Sequence, residues 1–316
     1  DDPLASDTLN WGLNGKTTKG IGKDTELSAD LSLDSINYLA STTTSYDSRE
    51  LNGSLGVSYF GKNVEYGASL FIDNMTYSDD PAGDYSDFGI ELSALGQKGK
   101  VDWEIAYTGS SRGYDDVLSE SVQTGTTNDD YDSSELSITA EWSFSDSLST
   151  EFSINWSDQS YDNPNETNFD FSTFEFGPDV DWDIGSGWSS TVSLHWSRER
   201  YKDRDGDDYD TSPAIQENID DLNNRDLELS FMYSQKELDL SFGTNWSRDH
   251  YPTSNQTVND ENVDSRSRTM NFSLLWRYAA DWSFEFNASR SDETYEARSE
   301  DNTRADSLSV SLNRKF

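Results

Sequence analysis

The sequence predicts an all-β fold, a transmembrane antiparallel up-and-down β-barrel of about fourteen strands, with about sixteen as the alternative. Three observations predict it. Apolar and polar residues alternate over many short segments, short and long connections follow one another regularly, and aromatic residues gather at segment ends. A soluble sandwich would also alternate, but the aromatic ends favour a barrel whose outer side contacts lipid.

The clearest alternating unit covers residues 136 to 156. From 136 to 144 every second residue is apolar and the residues between are polar, as in a strand with one apolar and one polar face. The same alternation resumes at 152 to 156 after a short turn. Trp142 lies beside the turn and Trp156 at the far end, which predicts aromatic rings at both interfaces of a bilayer.

The composition supports a barrel over a soluble domain. The 316 residues include 61 acidic and 23 basic side chains and no cysteine, for a net charge of -38. Only 33% of the residues are hydrophobic, too few for a soluble core of this length, whereas 13% aromatic content and sustained alternation argue against disorder. A barrel needs apolar residues on the outward half of each strand only. The strong negative charge disfavours nucleic acid as a partner.

The connections differ in length in a regular order. Short turns are predicted near residues 61, 98, 146, 186, 236 and 280, and long polar loops at about 35–47, 78–86, 111–132, 158–168, 201–222, 251–264 and 292–303. Short periplasmic turns and long extracellular loops are typical of outer-membrane barrels. We therefore predict that residues 24–316 form the transmembrane barrel and that residues 1–23 form an N-terminal arm or a first strand.

The last nine residues carry the one local motif. Residues 308 to 316 alternate between apolar and polar positions and end in Phe316. This ending resembles the recognition signal of the bacterial outer-membrane β-barrel, or porin-like, superfamily. The resemblance implies insertion by the barrel assembly machinery into the cell outer membrane of a Gram-negative bacterium, among its lipid and lipopolysaccharide. It identifies no subfamily, since porins, export barrels, receptors and barrel enzymes share it, and a periplasmic or oligomeric partner stays open.

Carboxylates dominate the predicted inward positions. The candidate pore-lining residues near the short turns are Glu65, Asp102, Glu104, Glu141, Glu151, Asp181, Asp239 and Glu285. Few inward basic residues stand out besides Arg277. In a water-filled bore such a set would attract cations and repel anions. The alternative is that these carboxylates are solvated interior residues of an acidic protein.

One loop has the composition of a calcium site. Asp203, Asp205, Asp207 and Asp210 surround Gly206 within the predicted loop 201–222, and alternate carboxylates around a glycine bend suit a hard cation. No Glu stands at the twelfth position that an EF-hand requires. We expect no required cofactor and treat calcium in this loop as a hypothesis beside a merely solvated acidic loop.

The sequence offers little for catalysis. Its two histidines are His195 and His250, and no phosphate loop or zinc spacing is present. We expect the protein not to be an enzyme. The leading hypothesis is an outer-membrane hydrophilic pore with an acidic, cation-preferring lumen. The alternatives are the barrel component of an export or secretion assembly, for example for an exopolysaccharide, and a surface receptor or adhesin that acts through its long loops.

Overall fold

A computed structural model describes residues 8–38, 47–77, 84–114, 130–162, 170–201, 221–252, 263–279 and 281–314. These segments form fifteen β-strands and one short 3₁₀ turn, Ser299–Asp301. The strands belong to one sheet and follow each other in sequence order, each beside its predecessor. Neighbouring strands are antiparallel, for example β1 with β2 and β11 with β12, as in an up-and-down meander.

The strands are 12 to 15 residues long, and 9–11 tilted residues suffice to span a bilayer. They are β1 (Thr8–Gly20), β2 (Thr25–Tyr38), β3 (Ser48–Phe60), β4 (Val64–Tyr77), β5 (Tyr85–Lys98), β6 (Val101–Tyr114), β7 (Tyr131–Ser145), β8 (Leu148–Tyr161), β9 (Phe171–Gly185), β10 (Trp188–Tyr201), β11 (Leu222–Gln235), β12 (Leu238–His250), β13 (Ser265–Ala279), β14 (Trp282–Tyr295) and β15 (Thr303–Arg314).

The all-β fold of about fourteen antiparallel strands is confirmed, with one strand more than the alternation indicates. The additional strand is β1, which pairs with β2 along its whole length. A tight turn joins the two, with Ile21 N donating to Thr25 O at 2.7 Å and Gly22 at a φ of 81°. The division of the chain at residue 24 into an arm and a barrel stays a prediction.

The chain divides into two compact units. The first holds β1–β5 and the ends of β6, β7 and β8 that adjoin the long connections; the second holds β9–β15 and the short-turn ends of β6, β7 and β8. We call these two kinds of strand end the loop end and the turn end.

In the first unit, apolar residues of neighbouring strands lie directly opposite one another. Leu55 of β3 faces Leu70 of β4, and Leu70 faces Ile90 of β5. The residues between them form a second, polar face, where Ser69 Oγ donates to Glu91 Oε2 at 2.7 Å. Cross-strand pairs of this kind fix the register, because a slip by one residue would exchange the two faces.

The second unit repeats the arrangement with larger side chains. Phe231, Phe242 and Phe272 of β11, β12 and β13 form one row across three strands. Near the turn end, the rings of Trp188 and Tyr233 lie 4.7 Å apart. The register of the β13–β14 pair shifts between Trp276 and Ala279 of β13, where a bulge would end the regular pairing.

The apolar face is exposed along its length. Large hydrophobic residues such as Leu55 and Leu308 are 66% and 69% accessible, and in the described segments Val263 is the buried hydrophobic residue. Such a face would be unstable in water at this size, so it must meet an apolar medium. Among the residues described, no helix is long and apolar enough to cross a membrane.

Candidate functional site

The polar face of the sheet is the candidate site, because strand alternation places on it the carboxylates that the sequence predicts to line a pore. All eight residues lie within strands on positions that alternate with apolar ones: Glu65 in β4, Asp102 and Glu104 in β6, Glu141 in β7, Glu151 in β8, Asp181 in β9, Asp239 in β12 and Glu285 in β14. Five are exposed and three half-buried, the half-buried ones being Glu65, Asp239 and Glu285. Their role as pore-lining residues stays a prediction.

Two of these carboxylates lie around one cavity at the turn end of the second unit. Glu141 and Asp181 line it together with Asp146, Asp183 and Lys100, and its volume is about 660 Å³. Thr191 Oγ1 donates to Asp181 Oδ1 at 2.7 Å, which fixes that carboxylate. The Lys100 ammonium donates to the Phe144 carbonyl at 2.7 Å. The cavity therefore has four carboxylates and one ammonium group on its lining.

Two others lie in one row further along the sheet. On β12, Asp239 lies directly opposite Leu275 of β13, and Leu275 lies directly opposite Glu285 of β14. Arg277 Nη2 lies 2.6 Å from Asp239 Oδ2, and Ser234 Oγ donates to Asp239 Oδ1 at 2.6 Å. Glu285 has no such cation and accepts a hydrogen bond from Asn287 Nδ2 at 2.9 Å. Of this pair, Asp239 is the one with a basic partner within the described residues.

Glu65 occupies a less polar position than the alternation suggests. On the polar face it lies opposite Phe60 of β3 and Leu95 of β5. These apolar neighbours are at the turn end, where the polar face is interrupted. Glu104 and Glu151 are exposed on the same face, in the first and second unit respectively.

A charged cluster at the loop end of the first unit was not expected from the sequence. Asp73 and Asp87 are directly opposite in β4 and β5, and Arg112 Nη2 reaches Asp87 Oδ2 at 2.8 Å. The Arg112 guanidinium lies 4.1 Å from the ring centre of Tyr85 and 5.5 Å from that of Tyr131. Tyr85 in turn donates its hydroxyl to Asp73 Oδ2 at 3.1 Å. We call these five residues the Arg112 cluster.

The sequence did not predict the Arg112 cluster, because β6 and β7 extend into the segment that was predicted to be a loop. The sequence predicts a loop from residue 111 to 132, whereas β6 continues to Tyr114 and β7 begins at Tyr131. Alternation therefore places Arg112 on the polar face, close to the carboxylates of the strand before it. The available signal was the continuation of the polar alternation of β6 through Thr108 and Ser110 to Arg112, the second residue of the predicted loop.

Both histidines contact carboxylates. His195 Nε2 lies 3.3 Å from Asp179 Oδ1, and its ring packs over Gly177, where an added Cβ would approach the imidazole Cδ2 to 2.5 Å. His250 Nδ1 lies 2.6 Å from Asp264 Oδ2. A histidine beside a carboxylate is one element of several catalytic sites, but it also occurs as a structural pair. The expectation that the protein is not an enzyme stays a prediction.

The predicted calcium residues Asp203, Asp205, Asp207 and Asp210 lie outside the described residues. Within the segments that the structure covers, no three histidine or acidic side chains are grouped so as to hold a metal ion. Calcium binding in loop 201–222 therefore stays a prediction.

A meander of antiparallel strands with one exposed apolar face, one acidic face and regularly alternating connections defines the class of transmembrane β-barrels. No family model and no curated protein matches the sequence. Solved structures do match the fold. The copper transporter OprC is similar at a TM-score of 0.61 and 10% identity, over 93% of this chain and 54% of that one.

Two further matches come from named bacteria. The FrpB iron transporter of Neisseria meningitidis matches at a TM-score of 0.56 and 12% identity, over 91% of this chain and 52% of its own. The alcaligin outer-membrane receptor FauA of Bordetella pertussis matches at 0.55 and 11%, over 98% and 57%. The chain thus spans about half the length of these proteins. It has the fold of bacterial outer-membrane β-barrel proteins, as predicted, and this fold supports the predicted location in the cell outer membrane of a Gram-negative bacterium.

Proposed function

We propose that the chain forms a hydrophilic pore of the outer membrane that prefers cations. The observation that carries the proposal is the charge of the polar face. Within the described strands, its basic residues are Lys16, Arg112 and Arg277. Each has a carboxylate beside it: Asp30 is directly opposite Lys16, Asp87 is bound to Arg112, and Asp239 is bound to Arg277. The remaining carboxylates of this face leave a large negative excess.

The mechanism follows from confinement. Carboxylates that line a narrow aqueous path raise the local cation concentration and oppose the entry of anions. Serine hydroxyls between the carboxylates keep the face wet, as in the pair formed by Ser241 Oγ and Ser273 Oγ at 2.7 Å. Such a preference does not require an acidic cluster that faces a basic cluster across the pore, as in general porins.

Selectivity measurements on two matched variants test the proposal. In planar bilayers under a tenfold KCl gradient, the reversal potential of the wild type should indicate cation preference. The polar-face variant combines E104Q, E141Q, E151Q and E285Q, and we expect it to lose roughly half of that potential or more, because these groups act on ions at close range. The control variant combines D203N, D205N, D207N and D210N and should lose little, since charges outside the bore are screened beyond about 8 Å.

Equal losses in the two variants would assign the selectivity to the loop, and an anion-preferring wild type would contradict the proposal altogether. Tryptophan fluorescence and heat-dependent gel mobility of each variant would show that it is folded.

A surface receptor is the second candidate, and it has one observation in its favour. One matched structure, FauA, is described as an outer-membrane receptor, and another, FyuA of Yersinia pestis, as a ferric yersiniabactin uptake receptor, at a TM-score of 0.51. Single-channel recording separates the candidates. A steady open conductance supports the pore, whereas a folded barrel that inserts and stays silent supports a receptor. The export alternative stays a prediction.

A further inference from the structure

Three arginines lie side by side on the apolar face at the loop end of the second unit. Arg225 of β11 is directly opposite Arg248 of β12, and Arg248 is directly opposite Arg266 of β13. We call these three residues the arginine row. Like charges in directly opposed positions destabilise a sheet, and a chain with a net charge of -38 has few arginines to place together. The row is thus an arrangement that an anion would stabilise.

The carboxylates described near the row do not neutralise it. One oxygen of Glu296 lies 2.7 Å from Arg266 Nη2 and 3.5 Å from Arg248 Nη2, so two guanidinium groups share it. Within the described residues, Arg225 is exposed and has no acidic partner. Arg268, one step toward the membrane centre, lies 5.8 Å from the Trp246 ring. The patch therefore has three arginines in the row, a fourth below it and two carboxylates, Glu296 and Asp292, the second of which lies directly opposite Arg268 and lines the same cavity.

The height of the row matches a membrane interface. From the aromatic residue Tyr233 at the turn end to Arg225, β11 rises roughly 27 Å, which a tilt of about 40° reduces to roughly 21 Å along the membrane normal. The apolar band of outer-membrane barrels is about 25 Å tall. The row thus lies at the upper border of that band. Long loops are extracellular in such barrels, so this border is in the outer leaflet.

An apolar groove continues from the row toward the membrane centre. Leu194, Leu227 and Trp246 line it below, and the arginines of the row line its upper end, around a cavity of about 750 Å³. An occupant that fits both parts has apolar chains and an anionic head. Guanidinium groups form paired, charge-assisted hydrogen bonds with phosphate oxygens, so a phosphate group suits the upper end.

We propose that the arginine row and the groove below it bind a phosphorylated lipid of the outer leaflet, with its phosphate on Arg225, Arg248 and Arg266 and an acyl chain along Leu227 and Trp246. The site lies on the outside of the sheet and is independent of ion selection on the polar face. The ligand is a glycolipid whose head group bears phosphate, the type of lipid that lipopolysaccharide represents. Trp246 supplies an interfacial ring at the head-group level.

Binding of lipid A to the purified barrel tests the site. The protein would be held in uncharged detergent micelles, and lipid A would be titrated while native mass spectrometry counts the bound molecules. The triple variant R225Q/R248Q/R266Q should bind at least tenfold more weakly, because charge-assisted contacts to phosphate are lost. R225Q alone should weaken binding severalfold. Its control is R49Q, which removes an exposed arginine from the same face at the loop end of the first unit, between Ser35 and Thr76.

Two further probes identify the part of the ligand that is recognised. Lipid A from which both phosphates have been removed should bind the wild type as weakly as intact lipid A binds the triple variant. Equal binding of intact and dephosphorylated lipid A would overturn the proposal. Inorganic phosphate, or an acidic polypeptide such as polyglutamate, that binds the row as tightly as lipid A would also overturn it by showing a site for other anions. Heat-dependent gel mobility confirms that each variant is a folded barrel.

Discussion

At the scale of single residues, the Arg112 cluster shows how a buried charge is held on an otherwise wet face. The Asp87 side chain is only 9% exposed and lies opposite a second carboxylate, Asp73. Its Oδ1 atom has no hydrogen-bond partner in the described segments, so Arg112 supplies the compensating charge for this group. Two tyrosine rings against the guanidinium add a cation–π contact and hold it in place.

We expect Arg112→Ala to destabilise the folded barrel by about 2–4 kcal/mol, because it leaves the buried Asp87 carboxylate unpaired. The matched control is Arg277→Ala. Arg277 and Asp239 form an ion pair of similar length, but their side chains are 45% and 33% exposed, so solvent screens the pair and the loss should be much smaller. Urea unfolding in the presence of lipid vesicles measures both. The double variant R112A/D87N should recover part of the loss, and a loss equal to that of R277A would contradict the buried-pair explanation.

Sequence alternation identified Arg277 as an inward residue but not Arg112 or the arginine row. Arg277 lies inside a strand whose apolar partners are evident, so its parity can be read directly. Arg112 and Arg225 lie near strand ends, where polar side chains occupy both faces and alternation no longer distinguishes strand from loop. Their partners are on neighbouring strands and depend on register, which the order of residues alone does not reveal.

At the scale of elements, alternation predicted the strands that have apolar residues at every second position, whereas for β1 it left open an arm or a first strand. Its first half has Leu9, Trp11 and Leu13 on one face, but from Gly15 to Gly20 that face carries no large apolar side chain. The strand continues because its backbone groups bond to β2, and this ladder does not depend on the side chains. The second half of β1 therefore leaves no periodic signal in the sequence, although its backbone pairs with β2.

The assignment of the two faces makes a prediction for β12. Phe242 lies in the middle row of the apolar face, between Phe231 and Phe272. Phe242→Arg should cost about 2–4 kcal/mol of folding free energy, because a cation near the bilayer midplane is poorly solvated. Ser241→Arg, on the neighbouring position of the polar face, should cost less than about 1 kcal/mol, since its side chain enters water. Unfolding in urea with vesicles compares the two, and the opposite order would mean that the faces are exchanged.

At the scale of the whole molecule, the net charge of -38 raises the question of which carboxylates an ion senses. Charges in the extracellular loops act over long distances only when salt is dilute, with a screening length of about 30 Å at 0.01 M. Charges that line the path of the ion act within a few ångströms, where even 1 M salt screens them incompletely, at a length of about 3 Å. The salt dependence of selectivity therefore separates the field of the whole molecule from the action of the polar face.

We expect the cation preference of the wild-type pore to decrease as KCl is raised from 0.01 to 1 M at a fixed tenfold gradient, but to remain measurable at 1 M. Close carboxylates such as Glu141 and Asp181, which line one cavity, would be responsible for the part that persists. The variant E104Q/E141Q/E151Q/E285Q removes four of these close carboxylates and keeps Asp181, so its preference at 1 M should fall well below that of the wild type. A wild-type pore without preference at 1 M would assign the selectivity to the distant loop charges, and a variant indistinguishable from the wild type at every salt concentration would exclude these four glutamates as its source.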